Sequence, residues 1–100
     1  MSNIAIDMND IGFQQDLFGL EKQEVTALIK TLRKISQLTW DQLYKDNGLK
    51  WEEITPRNTR LNEKVYTFRF SQKYRATAYR AENNKLQLMS LHTDHDSAYH

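Results

Sequence analysis

The residues best suited to chemistry lie near the C-terminal end, where His92-Thr93-Asp94-His95-Asp96 is followed by Tyr99 and His100. An imidazole titrates near neutral pH and can take or give a proton, a neighbouring carboxylate can orient its ring, and an arginine can neutralise a phosphate in a transition state. Phosphodiester cleavage is one chemistry open to this run. Metal binding is a second, because imidazole and carboxylate are borderline and hard ligands, although close spacing in sequence defines no coordination geometry. The third reading is structural: Asp94 and Asp96 turn the chain after a strand while His95 faces solvent.

Phosphate binding needs cations, and the net charge of +1 supplies no argument for it. The distribution of charge does. Between Met1 and Glu24 five acids (Asp7, Asp10, Asp16, Glu21, Glu24) face Lys22 alone, whereas between Arg57 and Arg80 seven bases (Arg57, Arg60, Lys64, Arg69, Lys73, Arg75, Arg80) face Glu63 alone. Such a stretch can bind a nucleic acid backbone. It can equally be a solvated face matched to the acidic N-terminal segment, and charge does not separate the two.

The elements that must carry these groups follow from periodicity. Residues 1–19 show no helical period and contain several breakers, so they read as an irregular lead-in anchored by Phe13, Leu17, Phe18 and Leu20. Val25, Leu28, Ile29, Leu32 and Ile35 recur at helical spacing, which predicts an amphipathic helix from about Glu21 to Ser36. Thr39 and Gln42 form a capping-box pattern that starts a second helix, stopped by Asn47-Gly48, so residues 20–48 make a helix hairpin. Leu49, Trp51 and Ile54 belong to a packed connector ending at Pro56.

Alternation then takes over. Tyr66, Phe68 and Phe70 interleave with Val65, Thr67 and Arg69, a second run covers Tyr74 to Ala81, Glu82-Asn83-Asn84 turns the chain, and a third run covers Leu86 to His92. The fold class is α+β: an N-terminal helix pair on a C-terminal antiparallel sheet of three or four strands, with a meander over 64–92 and a polar tail over 93–100. Successive side chains on a strand point to opposite faces. Helices covering the aromatic face would leave Arg69 on the open one, where Arg75 or Arg80 and a C-terminal histidine could join it as an anion site.

Composition bounds the rest. One hundred residues, 39% hydrophobic and 27% charged, suit one soluble domain, and the expected location is the cytoplasm. The chain has no cysteine, which removes disulfides, thiolate metal sites and a cysteine nucleophile. No apolar run approaches the ~20 residues that span a bilayer, and the start lacks the pattern of a signal peptide, so no membrane partner is expected. Elbow-serine, glycine-loop and dinucleotide motifs are absent.

The stretch Tyr74-Arg75-Ala76-Thr77-Ala78-Tyr79, the turn at Glu82 to Lys85, the apolar strand Leu86 to Leu91 and the closing His95 to Tyr99 resemble the RelE/ParE superfamily of bacterial toxins over about residues 20–100. The resemblance implies a type II toxin acting as a ribosome-dependent mRNA interferase, a metal-independent endoribonuclease that uses no cofactor, inhibits translation and is held by a cognate antitoxin. In that reading Arg75 stabilises the charged phosphorane, Tyr99 orients or stacks on a base, and His95 acts on the leaving group, with His92 the other histidine that could stand near Arg75. Arg69, Lys73, Arg80 and Lys64 would hold the RNA backbone. Where RelE carries lysines on its first sheet strand this chain has Tyr66 and Phe68, which leaves histidine and aspartate to supply a base, as in HigB-like members. ParE-like members inhibit DNA gyrase without nuclease residues, and a docking module without catalysis is a further alternative.

Overall fold

The computed structural model describes residues 2–54 and 64–93. Among them the chain runs β1 (Ala5–Asp7), α1 (Ile11–Phe18), α2 (Lys22–Ile35), α3 (Trp40–Tyr44), β2 (Glu52–Ile54), β3 (Val65–Arg69), β4 (Tyr74–Ala81) and β5 (Lys85–Thr93). The five strands form one sheet in the order β1-β5-β4-β3-β2, with β1 parallel to β5 and every other pair antiparallel. The fold is thus α+β as expected, with five strands and a mixed rather than purely antiparallel sheet.

The N-terminal segment departs from the expected irregular lead-in, because two side chains organise it locally. Asp10 caps α1 by accepting the Phe13 N–H at 2.8 Å, which lets Phe13 be driven into the core at 0% exposure. The three-residue strand β1 is held from outside itself: the Ala5 N–H donates to the Asn84 carbonyl, and the Asn84 side chain donates to the carbonyls of Ser2 and Asn3. Asn83 and Asn84 take positive φ of 61° and 64°, in the left-handed region that asparagine tolerates better than most residues. One turn therefore joins β4 to β5 and anchors β1.

The helices follow their sequence signals closely. In α2 the buried stripe is Glu24, Leu28, Leu32 and Ile35, turned slightly from expectation so that Ile29 faces outward. The capping box of α3 forms in both directions, with the Thr39 N–H donating to Gln42 Oε1 at 2.9 Å and the Gln42 N–H to Thr39 Oγ1 at 3.3 Å. The helix ends at Tyr44, ahead of Asn47-Gly48, and the positive-φ residue in the exit is Lys50 rather than Gly48. What read as a connector contains β2, an edge strand too short to show a period.

The helices cover the face of the sheet carrying Phe68, Phe70, Ala76, Ala78, Leu86, Leu88 and Leu91, which joins Phe13, Leu28, Leu32, Ile35, Trp40 and Leu43 in one core. Slipping β5 by one residue would expose Leu86 and Leu88 together. At ~1.5–3 kcal/mol for each fully buried leucine, that penalty holds the register that places the other face.

Candidate functional site

The uncovered face gathers the polar side chains. Register pairs Arg69 with Arg75 and Arg75 with His92, and one step further it pairs Thr67 with Thr77 and Thr77 with Ser90. Cross-strand partners share a face, so Arg69, Arg75 and His92 form one row across β3, β4 and β5, with Thr67, Thr77 and Ser90 in the next. Lys73 lies in the turn between β3 and β4, at the same end of the sheet.

A β-bulge puts His92 there. Strict alternation from Leu86 and Leu88, both in the core, would send Ser90 and His92 into the core as well. The pairing instead jumps from Ala78–Leu88 to Thr77–Ser90, leaving Met89 as an extra residue, after which Leu91 takes the core face and Ser90 and His92 take the open one. The backbone just beyond the bulge is held from α1, where the Asp16 carboxylate accepts the Leu91 N–H at 3.0 Å. A residue of the acidic N-terminal segment thus shapes the strand that carries the histidine.

Arg75 is only 5% exposed although it lies opposite the helices. Its Nε donates to Thr67 Oγ1 at 3.0 Å, one terminal nitrogen donates to the Lys50 carbonyl at 2.8 Å, and that nitrogen stands 3.8 Å from Glu52. The guanidinium is a preorganised cation whose plane is set by two strands and a loop. The Lys50 carbonyl is aimed at it by a left-handed backbone, with φ of 53°. On the neighbouring row Thr77 and Ser90 share a short hydroxyl–hydroxyl hydrogen bond, and Ser90 Oγ lies 2.7 Å from His92 Nε2. His92 is half-buried.

The structure thus brings together Arg69, Lys73, Arg75 and His92 among the expected site residues. It separates Arg80, which sits an odd number of residues from Arg75 and so on the helix-covered side, its guanidinium 4.7 Å from the centre of the Trp40 ring and 3.5 Å from the Tyr44 hydroxyl. Lys64 stands exposed before β3, 4.0 Å from a Glu53 carboxylate oxygen, away from the row. His95 and Tyr99 lie outside the described residues, as do Arg57, Arg60, Asp94, Asp96 and His100. Tyr66 and Phe68 belong to the core side. Trp51 stacks on Tyr66 at 4.8 Å, and burial, ahead of nearby Tyr44 and Glu53, pushes the Tyr66 phenol above its ordinary value of 10. Neither residue can furnish a base at neutral pH.

Thr67, Thr77, Ser90 and the Lys50 carbonyl were not singled out in sequence. Thr67 and Thr77 could have been found by parity, since they share faces with Arg69 and Arg75. Ser90 could not, because the bulge reverses its face. Among the described residues no three histidine, cysteine or acidic side chains stand close enough to hold a metal ion, and no helix is long and apolar enough to cross a membrane.

No protein-family model and no curated protein matches the chain. A solved structure does: a chain of the archaeal RelE–RelB complex from Pyrococcus horikoshii OT3 is similar over 97% of this chain and 100% of its own length, with a TM-score of 0.65 at 10% identity. At that identity the likeness concerns the course of the backbone and transfers no side chain. The mixed five-stranded sheet with helices on one face gives this chain a RelE-like fold.

Proposed function

We propose that this chain is the toxin of a type II toxin–antitoxin pair and cuts messenger RNA on the ribosome from the open face of its sheet. The observation that carries the reading is the row Arg69–Arg75–His92, three strands wide, on a fold shared with a chain of a RelE–RelB complex. An RNA phosphate placed over the row meets a fixed arginine that stabilises the added negative charge of the phosphorane, while Arg69 and Lys73 hold adjacent phosphates. His92, paired directly with Arg75, exchanges a proton with the ribose 2′-hydroxyl or the leaving oxygen in this reading. His95 and Tyr99, outside the described residues, keep in this reading the roles of leaving-group acid and base-stacking ring that the family resemblance implies. The reaction takes place in the cytoplasm, needs no metal or cofactor, and is suppressed by a cognate antitoxin.

One feature favours a second reading. Arg75 has protein partners on two sides, as expected of an arginine that ties β2 and its preceding loop to the sheet, and a non-nuclease toxin or docking module of this fold would use it only so. Induced expression in a bacterial host, with translation followed and messenger RNA 5′ ends mapped, separates the two. New ends that disappear in His92→Gln and His95→Ala support cleavage. Growth arrest with intact messages moves the assignment to a gyrase-directed or other non-nuclease toxin, and unimpaired growth leaves a docking module.

A further inference from the structure

The hydroxyls beside His92 form a hydrogen-bonded chain. Ser90 Oγ lies 2.7 Å from His92 Nε2, Thr77 Oγ1 is hydrogen-bonded to Ser90 Oγ, and Thr77 Oγ1 also reaches the Ser90 carbonyl at 3.5 Å. A hydroxyl can donate or accept, and so can a neutral imidazole nitrogen, but a carbonyl oxygen only accepts. With Thr77 donating to that carbonyl, Ser90 donates to Thr77 and Ser90 Oγ is left to accept from the ring; with Thr77 donating to Ser90 instead, Ser90 would donate to the ring and the tautomer would be reversed. We infer that Ser90, oriented by Thr77, is a positioning residue that holds His92 as the Nε2–H tautomer and leaves Nδ1 as the nitrogen that exchanges protons.

The arrangement serves both protonation states without rebuilding. When Nδ1 takes a proton the ring becomes an imidazolium that still donates from Nε2 to Ser90, so no hydroxyl has to turn. In the proposed reaction the 2′-hydroxyl O–H bond breaks as Nδ1–H forms, the freed oxygen pair makes the new P–O bond, and the bond from phosphorus to the 5′ oxygen breaks. The departing oxygen takes its proton from an acid, the role given to His95. Among the described residues the charged groups on this face around His92 are Arg75 of β4, directly paired with it, Arg69 of β3, Glu52 of β2 and Lys73 of the β3–β4 turn.

The base role of Nδ1 rests on the RNA-cleavage reading, whereas the tautomer does not, so the two are measured separately. Imidazole nitrogen chemical shifts of the uniformly labelled full chain, recorded in alkaline buffer and assigned with His92→Gln, report the tautomer directly. The wild type is expected to show His92 as Nε2–H alone, Ser90→Ala and Thr77→Val a mixture of both tautomers, and Ser90→Thr the wild-type pattern. Cleavage by Ser90→Ala should fall by about tenfold, part of the ~10²–10⁴ that a positioned proton-transfer group contributes, and recover in Ser90→Thr. A ring found as Nδ1–H, or shifts unchanged in both Ser90→Ala and Thr77→Val, overturns the positioning role. An ordered Nε2–H ring in a protein that cuts no RNA overturns the base role and the cleavage reading with it.

Discussion

Replacing Arg75 tests how far the candidate site and the fold depend on the same side chain. Arg75→Ala removes a guanidinium that is 5% exposed and strands two acceptors, Thr67 Oγ1 and the Lys50 carbonyl. Each buried polar group left without a partner costs about 1–3 kcal/mol, so the substitution should cost about 2–6 kcal/mol. Total stabilities of domains are about 5–15 kcal/mol, so the variant stays folded only if the parent lies away from the low end. At about 4–8 °C per kcal/mol for a chain of this size, calorimetry should show the melting temperature falling by at least 8 °C. The burial of Arg75 makes its replacement a test of the fold as well as of the site. A variant that melts within 2 °C of the parent would refute the account of Arg75 as a cation fixed by internal partners.

Other substitutions probe the elements around the row. Asp16→Ala removes the carboxylate that accepts the Leu91 N–H beyond the bulge and should cost about 1.5–3 kcal/mol in urea unfolding, with hydrogen exchange at Leu91 accelerated. Lys50→Gly relieves a left-handed backbone and should stabilise by about 0.5–1 kcal/mol in the same assay, the strain removed exceeding the entropy that glycine adds to the unfolded chain. Lys34, 2.9 Å from Asp46 and hydrogen-bonded to it, holds that carboxyl below its ordinary 3.8 against the opposing effect of burial. A depressed folded-state value contributes stability that is present above 3.8 and lost as pH falls through the folded value, so Lys34→Met should flatten the acid limb of the stability curve below about pH 4.

Much of this architecture was legible because its signals are local. The α3 capping box, the alternation of β3 and β4 and the paired asparagines of the last turn each depend on side chains within a few residues of one another. Strand β1 was not legible, since three residues carry no period and its partners, Asn84 and the β5 edge, are about eighty positions away. The bulge was hidden for a related reason: Leu86, Leu88 and Ser90 read as unbroken alternation, and only the pairing with β4, helped by Asp16 from α1, moves the extra residue to Met89. Arg80 was separable from Arg75 by parity alone, and its grouping with the phosphate-binding residues weighed charge above geometry. Arg75 was legible as a site residue, but its burial was not, because Thr67 and the Lys50 carbonyl reach it from other elements.

The central claim is that the row of Arg69, Arg75 and His92 directs a ribose 2′-hydroxyl onto its own phosphate. The most direct test adds the purified protein to translating ribosomes in magnesium buffer and identifies the chemical ends of the cut message. The account predicts upstream fragments ending in a 2′,3′-cyclic phosphate or its hydrolysis product, paired with downstream 5′-hydroxyls, and no such fragments with a folded His92→Gln protein. Fragments ending in 3′-hydroxyl and 5′-phosphate, or identical cutting by His92→Gln, would contradict it.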